Sequence, residues 1–175
     1  MPDPRPWNPL RAIITGALLV GTFDALDAIV FFGLRSHTKP IRIFQSIASG
    51  LLGKASFSGG MHSAALGVAI HYIIALSIAS VFIGASRLVP ALARHAVPFG
   101  FAYGLGVFAF MNLVVIPLSA ATRGTMPIPV LANGIVIHLF GVGLPSALCA
   151  RRATMIIPPT AYGGTSTGGP AGRGP

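Results

Sequence analysis

The chain has 175 residues, of which 53% are hydrophobic and only 9% are charged. A soluble domain carries about 25% charged residues, so this composition excludes an ordinary soluble domain. The formal charge of +9 comes from 12 Lys and Arg against three Asp, and the basic residues flank apolar runs, which favours lipid headgroups over nucleic acid as their partners. A single cysteine, Cys149, excludes a disulfide framework and a Cys-rich metal site.

The first ten residues hold four prolines and Trp7, which predicts an extended, Pro-rich interfacial arm over 1–10. The apolar run that follows, residues 11–34, is long enough for a helix that crosses a 30 Å hydrocarbon core. Arg5 and Arg11 precede it, as in a signal peptide. However, the run exceeds an h-region of about 7–15 residues, and acidic residues stand where a cleavage site would lie, so we predict a retained span.

A shorter apolar segment follows a polar break at residues 35–40. Over residues 41–53 the apolar side chains recur at helical spacing, and four polar side chains occupy the other side. These polar residues are Arg42, Gln45, Ser46 and Ser49. Because the segment is too short to span, it predicts an amphipathic helix at the membrane interface or partly re-entrant; the alternative is a connecting helix packed on the bundle.

Three further apolar runs predict the remaining spans, at residues 61–89, 96–118 and 130–150. Residues 11–152 therefore predict an all-α integral membrane four-helix bundle, with the amphipathic helix as an additional interfacial element between spans 1 and 2. Residues 153–175 form a Gly/Pro-rich tail that is predicted to be disordered. Four spans put both termini on one side, where seven Lys and Arg against five favour a cytoplasmic location in an inner-membrane protein.

The first predicted span carries two acidic residues near its middle. At about 100° per residue, Asp24 falls on a stripe of small residues, and Asp27 lies at the margin of that stripe. Small side chains at four-residue spacing allow helix backbones to approach closely, so Asp24 is expected to face protein. The second and fourth spans repeat this pattern with His71 and His138. The residues of the first stripe are Ala17, Gly21 and Ala28.

A charged Asp at mid-bilayer costs about 2.5–3.5 kcal/mol, so it needs protonation or a partner. Because no Lys or Arg lies in the interior of a predicted span, the expected partners are histidines, hydroxyls and amides. We predict an intramembrane polar cluster of Asp24, Asp27, His71 and His138. Three residues that lie near span ends or on another face are secondary polar candidates: His62, Asn112 and Asn133.

Three interpretations of this cluster remain open. The cluster forms hydrogen bonds that only hold helices together, or it lines a pathway for protons, cations or a small solute, or it binds zinc or iron. The metal interpretation lacks a local ligand motif, so no metal and no cofactor are predicted. With three carboxylates, no Gly-rich phosphate loop after a strand and no GxSxG elbow, the chain is not expected to be an enzyme.

Four stretches carry a resemblance to uncharacterised bacterial inner-membrane proteins: residues 45–53, 71–76, 111–119 and 137–145. The chain more distantly resembles the YagU-type membrane proteins. These share a His near the start of a span, an apolar span that ends in Pro-Leu, and a later His followed by aromatic residues, but they differ in the first loop. The resemblance covers residues 12–150. It implies four helices in a bacterial inner membrane and no established activity.

The expected function is conduction or coupling of protons or small solutes through the Asp/His cluster. The alternative is a non-catalytic structural or accessory membrane subunit in which the same residues only hold helices together. Because four spans leave little room for a pore inside one chain, a transport role would require an oligomer. The expected partners are the lipid bilayer and either further copies of the chain or a larger membrane complex.

Overall fold

A computed structural model describes residues 7–122 and 124–154, so most of the predicted arm and nearly all of the predicted tail lie outside the described residues. Within these ranges all the regular secondary structure is helical, without a strand. The α-helices are α1 (Pro9–Ser36), α2 (Pro40–Leu52), α3 (Gly60–Leu88), α4 (Ala91–Arg94), α5 (Ala96–Phe110), α6 (Ile116–Leu118), α7 (Ile128–Ile137) and α8 (Leu144–Thr154). A 3₁₀-helix, Gly53–Ser58, precedes α3, and two π-helical segments, Met111–Val115 and His138–Gly143, join α5 to α6 and α7 to α8.

Four continuous helices in this part of the chain are long and apolar enough to cross a membrane: Pro9–Ser36, Gly60–Leu88, Ala96–Leu118 and Ile128–Thr154. The first begins two residues before the predicted span because Asn8 caps it. The Asn8 Oδ1 atom accepts the Leu10 N–H at 2.9 Å, and Pro9 occupies a first-turn position that needs no N–H donor.

Small side chains form the core of the bundle. Among the described residues, ten of the seventeen buried apolar residues are alanine. Large apolar side chains cover the outside, with Leu34 80%, Leu88 86% and Leu118 83% exposed. A soluble domain buries such residues, so this inverted distribution is typical of a helical bundle surrounded by lipid.

Glycines bring two of the long helices together at backbone distance. A Cβ atom on Gly104 would run into the carbonyl oxygen of His138, and one on Gly143 would run into the carbonyl oxygen of Gly100. The π-helical segment before α8 can therefore pack directly on α5 only because these positions lack side chains. This contact fixes the position of the backbone that carries His138.

Each π-helical segment ends two residues before a proline. Pro117 follows Met111–Val115, and Pro145 follows His138–Gly143. A proline has no N–H for the carbonyl four residues earlier, and its ring crowds that carbonyl, which lies in the π-helical segment in both cases. The wider π turn is one way for a helix to absorb this defect without ending.

The amphipathic segment forms α2, which packs closely on the first half of α3. A Cβ atom on Gly67 of α3 would collide with the Phe44 carbonyl of α2, so the two backbones touch. Gln45 and Ser49, which helical spacing puts on the polar side, are buried, whereas Leu51 is 68% exposed. Gln45 and Ser49 thus belong to the protein interior, where their side chains hydrogen-bond within the chain, whereas Arg42 and Ser46 of the same side are exposed.

Hydrogen bonds hold together elements at the two ends of the bundle. At the end that contains the start of α1, the Trp7 N–H donates to the Arg152 carbonyl at 3.0 Å. At the opposite end, the Ala120 N–H donates to the Gly50 carbonyl at 2.9 Å, which ties the loop after α6 to α2. The acidic residues of α1 lie between these two ends.

Candidate functional site

Asp24 and His71 face each other between α1 and α3. The Asp24 Oδ2 atom lies 4.0 Å from His71 Nδ1, and the two side chains are 31% and 11% exposed. The other ring nitrogen of His71, Nε2, lies 2.7 Å from the carbonyl oxygen of Gly21. Because a carbonyl oxygen only accepts hydrogen bonds, Nε2 carries a proton in this arrangement. Nδ1 is left to present a lone pair or a second proton to Asp24.

Gly21 makes this approach of α3 to α1 possible. A Cβ atom at position 21 would lie 2.7 Å from Cε1 of Tyr72. Tyr72 lies over this bare backbone, and its hydroxyl is 3.1 Å from Thr22 Oγ1. The same absence of a side chain exposes the Gly21 carbonyl to His71. Gly21 was predicted as part of a small-residue stripe, but its role as a hydrogen-bond acceptor was not.

Asp27 is held by α7 rather than by a histidine. The Asn133 Nδ2 atom donates to Asp27 Oδ2 at 2.7 Å, which joins residues 106 positions apart in the chain. A hydrogen bond to a carboxylate is stronger than one between neutral groups. Asn133 was predicted only as a secondary polar candidate, and in the structure it is the hydrogen-bond partner of Asp27. The two acids of α1, one turn apart, therefore contact two different helices.

His138 turns toward α5 and its own helix. Its Nδ1 atom lies 2.9 Å from the Gly134 carbonyl, and its ring packs edge-on against Phe108 with centroids 5.2 Å apart. In the described part of the chain, no hydrogen bond or ion pair joins His138 to Asp24 or His71, although Asp27 lies within electrostatic range of both Asp24 and His138. The four predicted residues thus form a contacting pair, Asp24 with His71, and two neighbours.

The remaining polar candidates lie apart from the acids. His62 is exposed in the first turn of α3, and Asn112 donates to the Phe108 carbonyl of its own helix at 2.9 Å. The hydroxyl of Tyr103, one of the hydroxyl groups that were possible partners for the acids, donates to the Ile78 carbonyl at 2.7 Å instead. Across residues 7–122 and 124–154, no group of three His, Cys, Asp or Glu side chains is arranged to hold a metal ion.

A second polar cluster, between α2 and α3, was missed by the sequence interpretation. Gln45 Nε2 donates to the Gly60 carbonyl at 3.0 Å and to Ser63 Oγ at 3.3 Å. Ser63 in turn donates to the Ser56 carbonyl at 2.7 Å, and Ser56 donates to the Gln45 carbonyl. These bonds close a ring that fixes α2 on α3. The only signal in the sequence was a run of serines near Gln45, which also suits a solvated linker.

No protein-family model matches the chain, and neither a curated protein nor a solved structure matches it. The resemblance to YagU-type membrane proteins therefore stays a prediction.

Proposed function

We propose that the chain is a multi-pass inner-membrane protein that couples or conducts protons through Asp24 and His71, with Asp27, Asn133 and His138 as neighbouring polar groups. The observation that carries this proposal is the open pair between α1 and α3. The Asp24 carboxylate and His71 Nδ1 are 4.0 Å apart. This distance is too long for a hydrogen bond and short enough for one water molecule or a small rotation to connect them.

This pair can exist in two neutral proton states. In one, a protonated Asp24 faces a neutral His71; in the other, the proton sits on Nδ1 and the pair is ionic. The net charge is zero in both states, so exchange of the proton places no uncompensated charge in a low-dielectric region. The hydrogen bond from Nε2 to Gly21 keeps the ring oriented in both states.

The proposed membrane placement rests on two supports. The four long apolar helices carry large apolar side chains on their outer surface. In addition, among the described residues the end that holds the start of α1 and the end of α8 carries five basic residues, Arg11, Arg87, Arg94, Arg151 and Arg152, against four at the opposite end, Arg35, Lys39, Arg42 and Lys54. By the positive-inside rule this end is cytoplasmic, and α2 lies at the opposite interface.

A structural role is the second candidate, and the Asp27–Asn133 hydrogen bond favours it for that acid. The Asn133 amide donates directly to the Asp27 carboxylate at 2.7 Å and so holds α1 to α7. Unlike the Asp24–His71 pair, this bond leaves no unfilled gap between a carboxylate and an imidazole in which a proton could be exchanged. Hydrogen bonds between membrane helices contribute about 0.6 kcal/mol each on average. In an accessory subunit, Asp24 and His71 would contribute stability of the same order and nothing more.

Proton flux into liposomes tests the proposal. The purified protein is reconstituted, a pH gradient is imposed, and its decay is followed for wild type, Asp24→Asn and His71→Gln. We expect wild type to dissipate the gradient and both variants to lose this activity. Asp27→Asn is the matched control, because Asn can still accept the Asn133 amide hydrogen bond, and it is expected to retain most of the flux.

Two results would reject proton coupling. One is a wild-type protein that leaves the gradient intact while Asp24→Asn merely lowers thermal stability, which is the outcome of the structural role. The other is full activity in both Asp24→Asn and His71→Gln. Because a four-span chain has little space for an internal pore, we include further copies of the chain in the functional unit, and reconstitution therefore uses the protein at high density.

A further inference from the structure

An open groove runs along the outside of the bundle between α1 and α8. The volume of this groove is about 670 Å³. Its floor is apolar and exposed, with Phe23 at 45%, Phe140 at 55% and Leu148 at 42% exposure. From Phe140 to Arg152 the helix advances roughly 18 Å at about 1.5 Å per residue. This length is close to half of a hydrocarbon core of about 30 Å, so the groove matches the depth of one lipid leaflet.

Positive charge gathers at one end of this groove. Arg151 and Arg152 line it, together with Trp7. Trp7 is anchored there by its N–H bond to the Arg152 carbonyl, and the guanidinium carbon of Arg11 lies 4.9 Å from the Trp7 ring centroid. Both acidic residues of α1 lie roughly 20 Å farther along that helix from Arg11, too far to neutralise this end.

We propose that this groove is a binding site for a phospholipid with an anionic headgroup. The phosphate contacts Arg151 and Arg152 at the rim, and one acyl chain lies along the apolar floor toward Phe23. Trp7, an amphipathic side chain suited to the headgroup level, borders the same rim. Basic pockets between helices on the cytoplasmic side are the sites where anionic headgroups bind. The inference rests on the proposed membrane placement of the bundle, but it is independent of proton coupling.

Native mass spectrometry of the detergent-purified protein tests the site. The protein is titrated with phosphatidylglycerol and, separately, with phosphatidylcholine of the same acyl chains. We expect a clear preference of wild type for phosphatidylglycerol. Each arginine near an anionic headgroup contributes about a fivefold change in affinity, so Arg151→Gln with Arg152→Gln should weaken phosphatidylglycerol binding roughly 25-fold.

The matched control is Arg87→Gln with Arg94→Gln, which removes the same charge at the same end of the bundle but outside the groove. It should bind phosphatidylglycerol like wild type. Leu148→Trp, which fills the apolar floor, should weaken binding of the lipid while leaving the arginines in place. Glycerol 3-phosphate at millimolar concentration should not displace the lipid, because the acyl chain supplies part of the binding.

Equal binding of the two lipids by wild type would overturn the inference. Equal loss in the two arginine double variants would also overturn it, since net charge alone would then explain binding. Displacement of the lipid by glycerol 3-phosphate would show that the apolar floor of the groove contributes nothing to lipid binding, and it would overturn the inference as well. Where Arg151→Gln with Arg152→Gln fails to fold, the wild-type preference and the Leu148→Trp result decide. Asp24→Asn should keep full lipid binding, so failure of proton coupling is distinguished from failure of this site.

Discussion

The side-chain amide of Asn133 donates a 2.7 Å hydrogen bond to the carboxylate of Asp27. This bond connects α1 to α7 across 106 residues of sequence, whereas the neighbouring acid, Asp24, stands 4.0 Å from His71 without a closed hydrogen bond. Two acids one helical turn apart therefore differ in what their partners allow. One accepts a hydrogen bond from a side-chain amide, and the other faces a ring nitrogen of an imidazole.

Replacement of Asn133 should destabilise the bundle. Asn133→Ala removes the donor to Asp27 and leaves a partly buried carboxylate without it, which should lower the free energy of unfolding by about 1–2 kcal/mol. Asn112→Ala is the matched control, because Asn112 bonds only to the Phe108 carbonyl of its own helix. Thermal unfolding in detergent should show a clear shift for the first variant and a small one for the second. Equal shifts would contradict a specific role for Asn133.

A side chain at position 21 should separate α1 from α3. Gly21→Ala places a Cβ atom 2.7 Å from the Tyr72 ring and displaces the carbonyl that orients His71. We expect a loss of about 1–3 kcal/mol in unfolding free energy and reduced proton flux.

Gly33→Ala, in the same helix, is the control for this change. A Cβ atom there meets nothing within 4 Å, so the better helix propensity of alanine should add about 0.5–1 kcal/mol. Chemical denaturation of both variants in the same detergent compares the two. If Gly21→Ala is as stable as Gly33→Ala, the close packing of Tyr72 on α1 is wrong.

The contact of α2 with α3 should tolerate an added methyl group even less well than the contact of α1 with α3. Gly67→Ala drives a methyl group into the Phe44 carbonyl, and a backbone atom cannot rotate away as a side-chain end can. We expect a loss of at least about 2 kcal/mol, measured as a lower midpoint of thermal unfolding. Gly84→Ala in the same helix has nothing within 4 Å of its Cβ and should be neutral or stabilising. A neutral Gly67→Ala would show that α2 does not pack on α3 in this way.

Cysteine labelling tests the proposed orientation. Cys149 is the single cysteine and is 4% exposed, so Cys149→Ala provides a background without thiols. Ser58→Cys and Arg94→Cys then introduce one thiol each at exposed positions on opposite ends of the bundle. With cytoplasmic termini, a membrane-impermeant maleimide added to intact spheroplasts should label Ser58→Cys and not Arg94→Cys. The reverse pattern would invert the orientation.

Helix content and the four long apolar helices were predictable because hydrophobic length is a local property of the sequence. The structure confirms an all-helical chain with four helices of membrane-spanning length over the described residues. The two π-helical segments were not predicted, although Pro117 and Pro145 mark them, because a proline in a helix also fits a kink or a helix end. The burial of Gln45 was also missed, since helical spacing defines the faces of α2 but not which face meets α3.

The sequence by itself determined that α1 needs partners for two acids, because Asp24 and Asp27 lie in an apolar run without a nearby cation. Only the tertiary structure decided which partners they have. His71 and Asn133 come from α3 and α7, and His138, at a similar helical position, turns to Phe108 instead. The physical reason is that helical periodicity describes one helix at a time. The pairing of helices depends instead on where backbones can touch, which here is decided by bare positions such as Gly21 and Gly104.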